Sequence, residues 1–277
     1  YEADWHEDHV VLKADYPVDV NATKATFDIQ FGNVERSTTT NTTWEFAQFE
    51  ESMHKWADLS DNGFGLSVIN DCKYGCDIKN GHIRPTLFRC ATNPNHIQDR
   101  EHHSFSFSIY PHSKRVNDSD VVKEGYNVNF PLYAIPAKAQ EGTLAPEYSL
   151  VSCDKENVVI ETVKLAEDSD NIIVRAYETW NSKTPATLTF AGEILEVKDT
   201  DVAREGADVL TGVFACVAHP TGIKLRLEDL TGDLIHHDIV FVLPVQRFKL
   251  KIVVVIRKRH ASRFTDIGYF SDTVYNR

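Results

Sequence analysis

Asn70, Asp71, Lys73 and Tyr74 place an amide, a carboxylate, an ammonium and a phenol almost side by side. That set suits a polar ligand, with hydrogen bonds from the first three and a ring face from the fourth. Asp71 and Asp77 also raise the paired carboxylates that cleave glycosidic bonds. They stand six residues apart across a turn, so nothing obliges them to face each other. Asp71 reads better as a hydrogen-bond acceptor, held by Lys73 or by backbone amides. Tyr74 fits two roles equally, a stacking platform for a ligand or a cap on the core.

Two further clusters carry the residue types of metal ligands, His6-Glu7-Asp8-His9 and His236-His237-Asp238. Neither has a partner cluster at a ligand-like spacing, so both read as surface polar residues. Cys72 and Cys76 lack the second Cys or His pair of a structural zinc site and read as free thiols. A G-x-S-x-G elbow, a phosphate-binding loop and a dinucleotide fingerprint are absent from the sequence. So is the strand–helix alternation of a nucleotide-binding sheet.

These groups need a scaffold. Residues 54–77 read HKWADLSDNGFGLSVINDCKYGCD. Trp56 precedes a polar turn at 58–62, Gly63-Phe64-Gly65 follows, and the apolar run 66–69 is strand-sized. The run delivers Asn70 to Tyr74 at its far end, a rigid base for a presenting loop. Upstream, the stretch from Thr26 to Phe31 alternates with period 2, as in a half-buried strand. Asn80-Gly81 is a hairpin signal ahead of a second alternating run at 83–89. Residues 103–110 put Phe105, Phe107 and Ile109 on one face and read as one strand. The Thr-rich stretch 37–43 is a loop or an edge strand, with Trp44 and Phe46 beyond it pointing inward. A brief helical turn fits 49–56, without a strong cap. Past a linker at 137–147, short runs at 158–164, 172–177, 186–190, 191–197, 212–218, 223–227 and 239–243 are separated by turns. Residues 202–209 have room for one helical turn. Regular short strands without a long 3.6-residue period indicate an all-β, antiparallel sandwich.

With 277 residues, 42% of them hydrophobic, the chain can bury a large core in two domains. We place the boundary near residue 145, giving β-sandwiches at 1–145 and 146–256, the second smaller. Residues 257–277 open on a basic stretch and read as a disordered or extraneous tail. A net charge of −12 opposes a nucleic-acid surface and fits a neutral ligand better than a polyanion. No window carries about 18 consecutive apolar residues, so no membrane-spanning helix is predicted. Five cysteines cannot all pair and lack the spacing of a disulfide scaffold, so reduced thiols in an intracellular compartment are the simpler reading. Asn21-Ala-Thr, Asn41-Thr-Thr and Asn117-Asp-Ser fit the glycosylation pattern, but such tripeptides often arise by chance. The chain opens at Tyr1 and its one methionine is Met53, from which we expect a piece of a longer polypeptide.

The words of residues 54–77 resemble the C-terminal β region of glycoside hydrolase family 38 α-mannosidases, in their cytosolic and vacuolar branch. The likeness runs upstream through Val18-Asp-Val-Asn-Ala-Thr, Ile29-Gln-Phe-Gly-Asn-Val and Asn41-Thr-Thr-Trp44. Downstream it takes in Leu87-Phe-Arg-Cys-Ala-Thr, the run from His103 to Tyr110-Pro-His112, Val158-Val-Ile-Glu-Thr-Val-Lys164 and Ile173-Val-Arg-Ala-Tyr-Glu178. It covers most of the chain to about residue 252. The resemblance implies retaining hydrolysis of α-mannosidic bonds by an aspartate nucleophile, assisted by a bound zinc ion. In the family those groups lie in an N-terminal α/β domain, and no residue of this chain matches them. The expected partners are therefore an α-mannoside oligosaccharide and the catalytic domain of the same polypeptide, with zinc bound outside this segment. Nucleic acid and membrane are not expected as partners, and homo-oligomerisation is left open. The expected compartment is cytoplasm or vacuole. Asp71, Lys73 and Tyr74 become substrate or interdomain contacts at the rim of the active site, with no catalytic or metal-binding residue in this segment.

The chain departs from the family words where Phe64 stands in place of tyrosine and Cys76 in place of an aromatic residue. The ending at Arg247-Phe-Lys-Leu-Lys251 is also altered. A second reading is a freestanding, non-catalytic β-sandwich that binds carbohydrate or a protein.

Overall fold

Alternation in the first half of the chain resolves into short strands that stack as two sheets. The structure, a computed structural model, describes residues 1–138, 141–143, 145–166 and 171–192, with the backbone of strands at 217–219, 222–226 and 251–256. These fall into two compact units. The first takes Tyr1–Tyr148 and the segment Glu178–Asn181, and the second takes Ser149–Tyr177 and the residues from Ser182 onward.

In the first unit, β1 (Glu2–Asp4), β2 (Leu12–Lys13), β3 (Tyr16–Pro17), β4 (Lys24–Ile29) and β5 (Gly32–Ser37) lead into helix α1 (Thr43–Ala47). Then come β6 (Glu51–Ser52), β7 (Trp56–Ser60), β8 (Phe64–Asn70), β9 (Gly75–Lys79) and β10 (His82–Phe88). After β11 (His102–Ser104) and β12 (Phe107–Ser113), helix α2 (Val121–Asn129) ends the series. One sheet has the order β12-β8-β7-β4-β5, and a second has the order β2-β10-β9-β6 with β3 also on β10. The pairings are antiparallel. Phe27, Leu59 and Val68 of the first sheet meet Cys76, Ile78 and Ile83 of the second in one buried cluster. This is a β-sandwich.

Strands β7 and β8 are covered on both faces. Ala57 and Val68 join the sandwich core, while their neighbours Trp56 and Ile69 join a second cluster with Val116 and with Val121 of α2. A strand buried on both faces loses its polar alternation, which accounts for the continuous run at 66–69. Val68 and Ile69, fully buried, each stabilise by about 1.5–3 kcal/mol. A third cluster of Leu87, Phe88, Cys90 and Phe105 sits with Ala3, Trp5 and Leu12.

The Asn80-Gly81 hairpin forms between β9 and β10, with both residues at positive φ (52° and 80°) as a primed turn requires. Elsewhere the local reading is corrected. Residues 49–56 hold no helical turn; the helix is α1, upstream, where Thr42 and Glu45 close a capping box. Trp44 and Phe46 do not point inward but are exposed. Asp58 and Leu59 belong to β7, and the turn is reduced to 61–63. The strand expected at 103–110 is broken into β11 and β12, and Ile109 faces solvent. Helix α2 is hard to read from sequence because its valines, asparagines and Gly125 are weak helix formers and Asp120 makes no side-chain cap. Packing decides it: a Cβ on Gly125 would lie 2.9 Å from Trp56 Cδ1, so glycine lets the helix seat on the indole.

The second unit has a sheet ordered β13 (Val151–Cys153), β16 (Thr187–Phe190), β18 (Gly222–Arg226) and β17 (Val217–His219), with antiparallel pairs. Its other sheet is ordered β14 (Val158–Leu165), β15 (Asn171–Glu178) and β19 (Lys251–Ile256). Ile172, Val174 and Ala176 of β15 are buried in alternation. The β15–β19 pair is parallel, from Asn171 opposite Lys251 to Ala176 opposite Ile256, a departure from the antiparallel pattern. The helical turn expected at 202–209, the run at 239–243 and the stretch from Arg257 lie outside the described residues.

Candidate functional site

The loop at 70–75 leaves β8 and enters β9, so both ends are pinned to opposite layers of the sandwich. Asn70 fixes its start. The Asn70 side chain donates to His54 O and accepts the Lys73 amide (2.8 Å), while the Asn70 carbonyl accepts from Asn129 of α2 (3.0 Å). Asn70 is fully buried, so its polar atoms are satisfied by protein, as burial demands.

The three predicted contact residues have different surroundings. Asp71 Oδ2 accepts the Ser106 amide at 3.0 Å, tying the loop to the break between β11 and β12. The acceptor role therefore goes to a backbone amide and not to Lys73. Lys73 turns its ammonium over the rings of Phe105 (4.7 Å) and Phe88 (5.0 Å), a cation–π arrangement. Tyr74 is exposed, with its ring tilted against His54 at 6.0 Å between centroids. Of the trio, Tyr74 offers the freest surface.

Cys72 is exposed and free. Partial burial of its sulfur, helped by the Asp71 carboxylate, pushes its thiol up to about 11. Cys76 is free and fully buried in the sandwich core, where burial raises its thiol further. Just past β10, Asp99 Oδ2 accepts the amides of Arg89 and Cys90. Burial works against its charge, but the amides of Cys90 and Arg89 hold its carboxyl below the usual range.

Asp71 and Asp77 are not brought together as a working pair. Asp77 is gripped by Lys13 (2.6 Å) and by Arg84 (2.9 Å from Nε), and Lys13 also holds Glu50. The other buried aspartates among the described residues are equally committed, Asp28 to Lys55 (3.0 Å) and Asp58 to His112 (2.7 Å). Sequence reading missed the second of these, since Asp58 was assigned to a turn. In the N-terminal cluster, His9 meets Thr92 (2.9 Å) and Asp8 pairs with Arg100. No group of three His, Cys, Asp or Glu among the described residues is arranged to hold a metal ion, and His236, His237 and Asp238 lie outside them.

A profile described as the glycosyl hydrolases family 38 C-terminal domain matches residues 1–96, and one described as the family 38 C-terminal beta sandwich domain matches residues 157–210. The chain belongs to the C-terminal region of glycosyl hydrolase family 38. This family 38 segment is 39% identical over 190 residues to Alpha-mannosidase 2C1 of Homo sapiens, a match covering 68% of the segment and 18% of the relative. It is 38% identical over 194 residues to Alpha-mannosidase G of Dictyostelium discoideum, covering 70% and 18%. Among solved structures, an alpha-mannosidase from Enterococcus faecalis V583 superposes with a TM-score of 0.58 at 19% identity, covering 65% of the segment and 21% of that chain. At that identity the likeness speaks for the fold. The segment thus spans under a fifth of the length of these curated relatives.

Proposed function

We propose that this segment is the C-terminal β portion of an α-mannosidase that removes α-D-mannosyl residues from oligosaccharides. The observation carrying the reading is the 39% identity over 190 residues to a protein named as an alpha-mannosidase. In this reading the segment supplies scaffold and the rim of the active site through loop 70–75, with Tyr74 as the outermost contact. The nucleophile and the zinc ion lie on another segment. Among the described residues the buried carboxylates Asp28, Asp58 and Asp77 are each held by a cation or a histidine, in keeping with a scaffold role. When bound, zinc in such an enzyme orients and polarises the sugar hydroxyls. The compartment of the whole protein is cytoplasm or vacuole, and no helix among the described residues is long and apolar enough to cross a membrane.

The test compares the full polypeptide with the 277-residue chain on an aryl α-mannoside. The full polypeptide turns over, loses activity to a chelator and regains it with zinc. The 277-residue chain is silent with or without zinc. Zinc-dependent turnover by the short chain would place the catalytic groups inside it and refute the division.

A further inference from the structure

Helix α1 is five residues long and buries none of its own side chains. It carries Trp44 and Phe46 at 82% and 63% exposure, and Phe49 just beyond it is 67% exposed. Phe46 and Phe49 meet edge to face at 5.6 Å. So short a helix does not support itself in water. This one is fixed through Glu45, which accepts from Ser37 (2.6 Å), Thr39 (2.9 Å) and the Thr42 amide (3.0 Å), while Thr42 accepts the Glu45 amide (3.1 Å). The aromatic side chains are therefore presented on a braced base.

The acids around them all turn back into the unit. Glu50 is taken by Lys13 (2.5 Å) and Thr86 (2.6 Å), and Glu51 by Arg36 (3.0 Å). No Lys or Arg occurs at 41–53, and the acids there are paired, so the three exposed rings stand without an unpaired charge beside them. A sugar site sets its ring beside free hydrogen-bonding groups. Here the carboxylates are all occupied, which favours a protein surface, the usual meaning of clustered exposed aromatics. The matched relatives leave more than four fifths of their length outside the region like this one, enough to supply it.

We propose that Trp44, Phe46 and Phe49 form a preformed knob that seats in an apolar pocket on the part of the family 38 polypeptide lying outside these 277 residues. The inference rests on the reading of this chain as a portion of a longer enzyme. It is tested in the full polypeptide carrying p-benzoylphenylalanine at Phe46, an exposed position that tolerates replacement. Irradiation should yield an intramolecular crosslink to residues outside this segment. A crosslink to a second copy, a crosslink within the segment or no crosslink would overturn the proposal. As a check without the reagent, Trp44→Ser in the full polypeptide should speed amide exchange at 43–49 about tenfold while β8 stays unchanged. Equal protection in both proteins would also overturn it. Hydrolysis of an aryl α-mannoside by the same preparations judges the activity separately, so loss of the knob and loss of the enzyme assignment are told apart.

Discussion

Strand β8 ends in two different ways. At its Gly65 end lies a sealed polar knot. Asp58 takes Ser60 (2.6 Å), Ser67 (2.6 Å) and His112 (2.7 Å), and both Asp58 and His112 are almost fully buried. Gly65 is part of the seal, because a Cβ there would sit 2.3 Å from His112 Cε1. At the Asn70 end the buried amide closes the core in the same manner, but the chain beyond it opens out to Tyr74 and Cys72. Both ends are rich in groups that could do chemistry. Only one leaves any of them reachable. A triad of Ser, His and Asp is thus no sign of catalysis here, since both serines and the histidine donate to one carboxylate and neither serine donates to the histidine.

The sharpest way to break the contrast is Asp58→Ala. It strands His112 and two serines in the core and should cost about 3–5 kcal/mol in urea unfolding. A loss below about 1 kcal/mol would mean that the knot is open to water.

The pH dependence comes next. Burial is the largest single influence on His112 and lowers it, but the hydrogen bond and charge of Asp58 prevail and hold the ring above the ordinary 6.5. A raised folded-state pKa contributes stability fully below the unfolded value, and that contribution fades as pH rises through the folded value. The urea midpoint should therefore fall from pH 6 upward past neutrality, and His112→Gln should flatten the slope. An unchanged slope in the variant would assign the effect to other groups.

At the open end, Tyr74→Ala should leave stability within about 0.5 kcal/mol, as exposed substitutions do. In the full polypeptide it should raise KM for an oligosaccharide about fivefold, the worth of one stacked ring. An unchanged KM removes Tyr74 from the rim. The smallest effect is chemical. With its thiol near 11, Cys72 at pH 8 is about one part in a thousand thiolate, so iodoacetamide should label it slowly despite its exposure. Asp71→Asn, which withdraws a neighbouring negative charge, should speed labelling as followed by mass spectrometry.

Much of this fold was legible. Period-2 alternation marked β4 and β10, Asn80-Gly81 marked the turn between β9 and β10, and the unbroken run at 66–69 marked a buried strand. The family words reached the correct architecture and placed the chain within a larger protein class. What stayed hidden was set by contacts distant in sequence. Trp44 and Phe46 look like core residues, and only the bracing of Glu45 by Ser37 and Thr39 shows that they are held outside it. Asp58 looks like a turn residue until His112, 54 positions later, arrives across the sheet.

The sequence by itself determined the strand pattern, the hairpin and the family, because side-chain alternation and turn chemistry act between near neighbours. Tertiary structure decided which polar groups are sealed and which are presented. It seated a weak helix on Trp56 through Gly125, locked Asp77 between two cations and left Tyr74 in the open. Those outcomes depend on which distant residue fills or spares the space beside each group, and desolvation then fixes whether it serves the fold or a ligand.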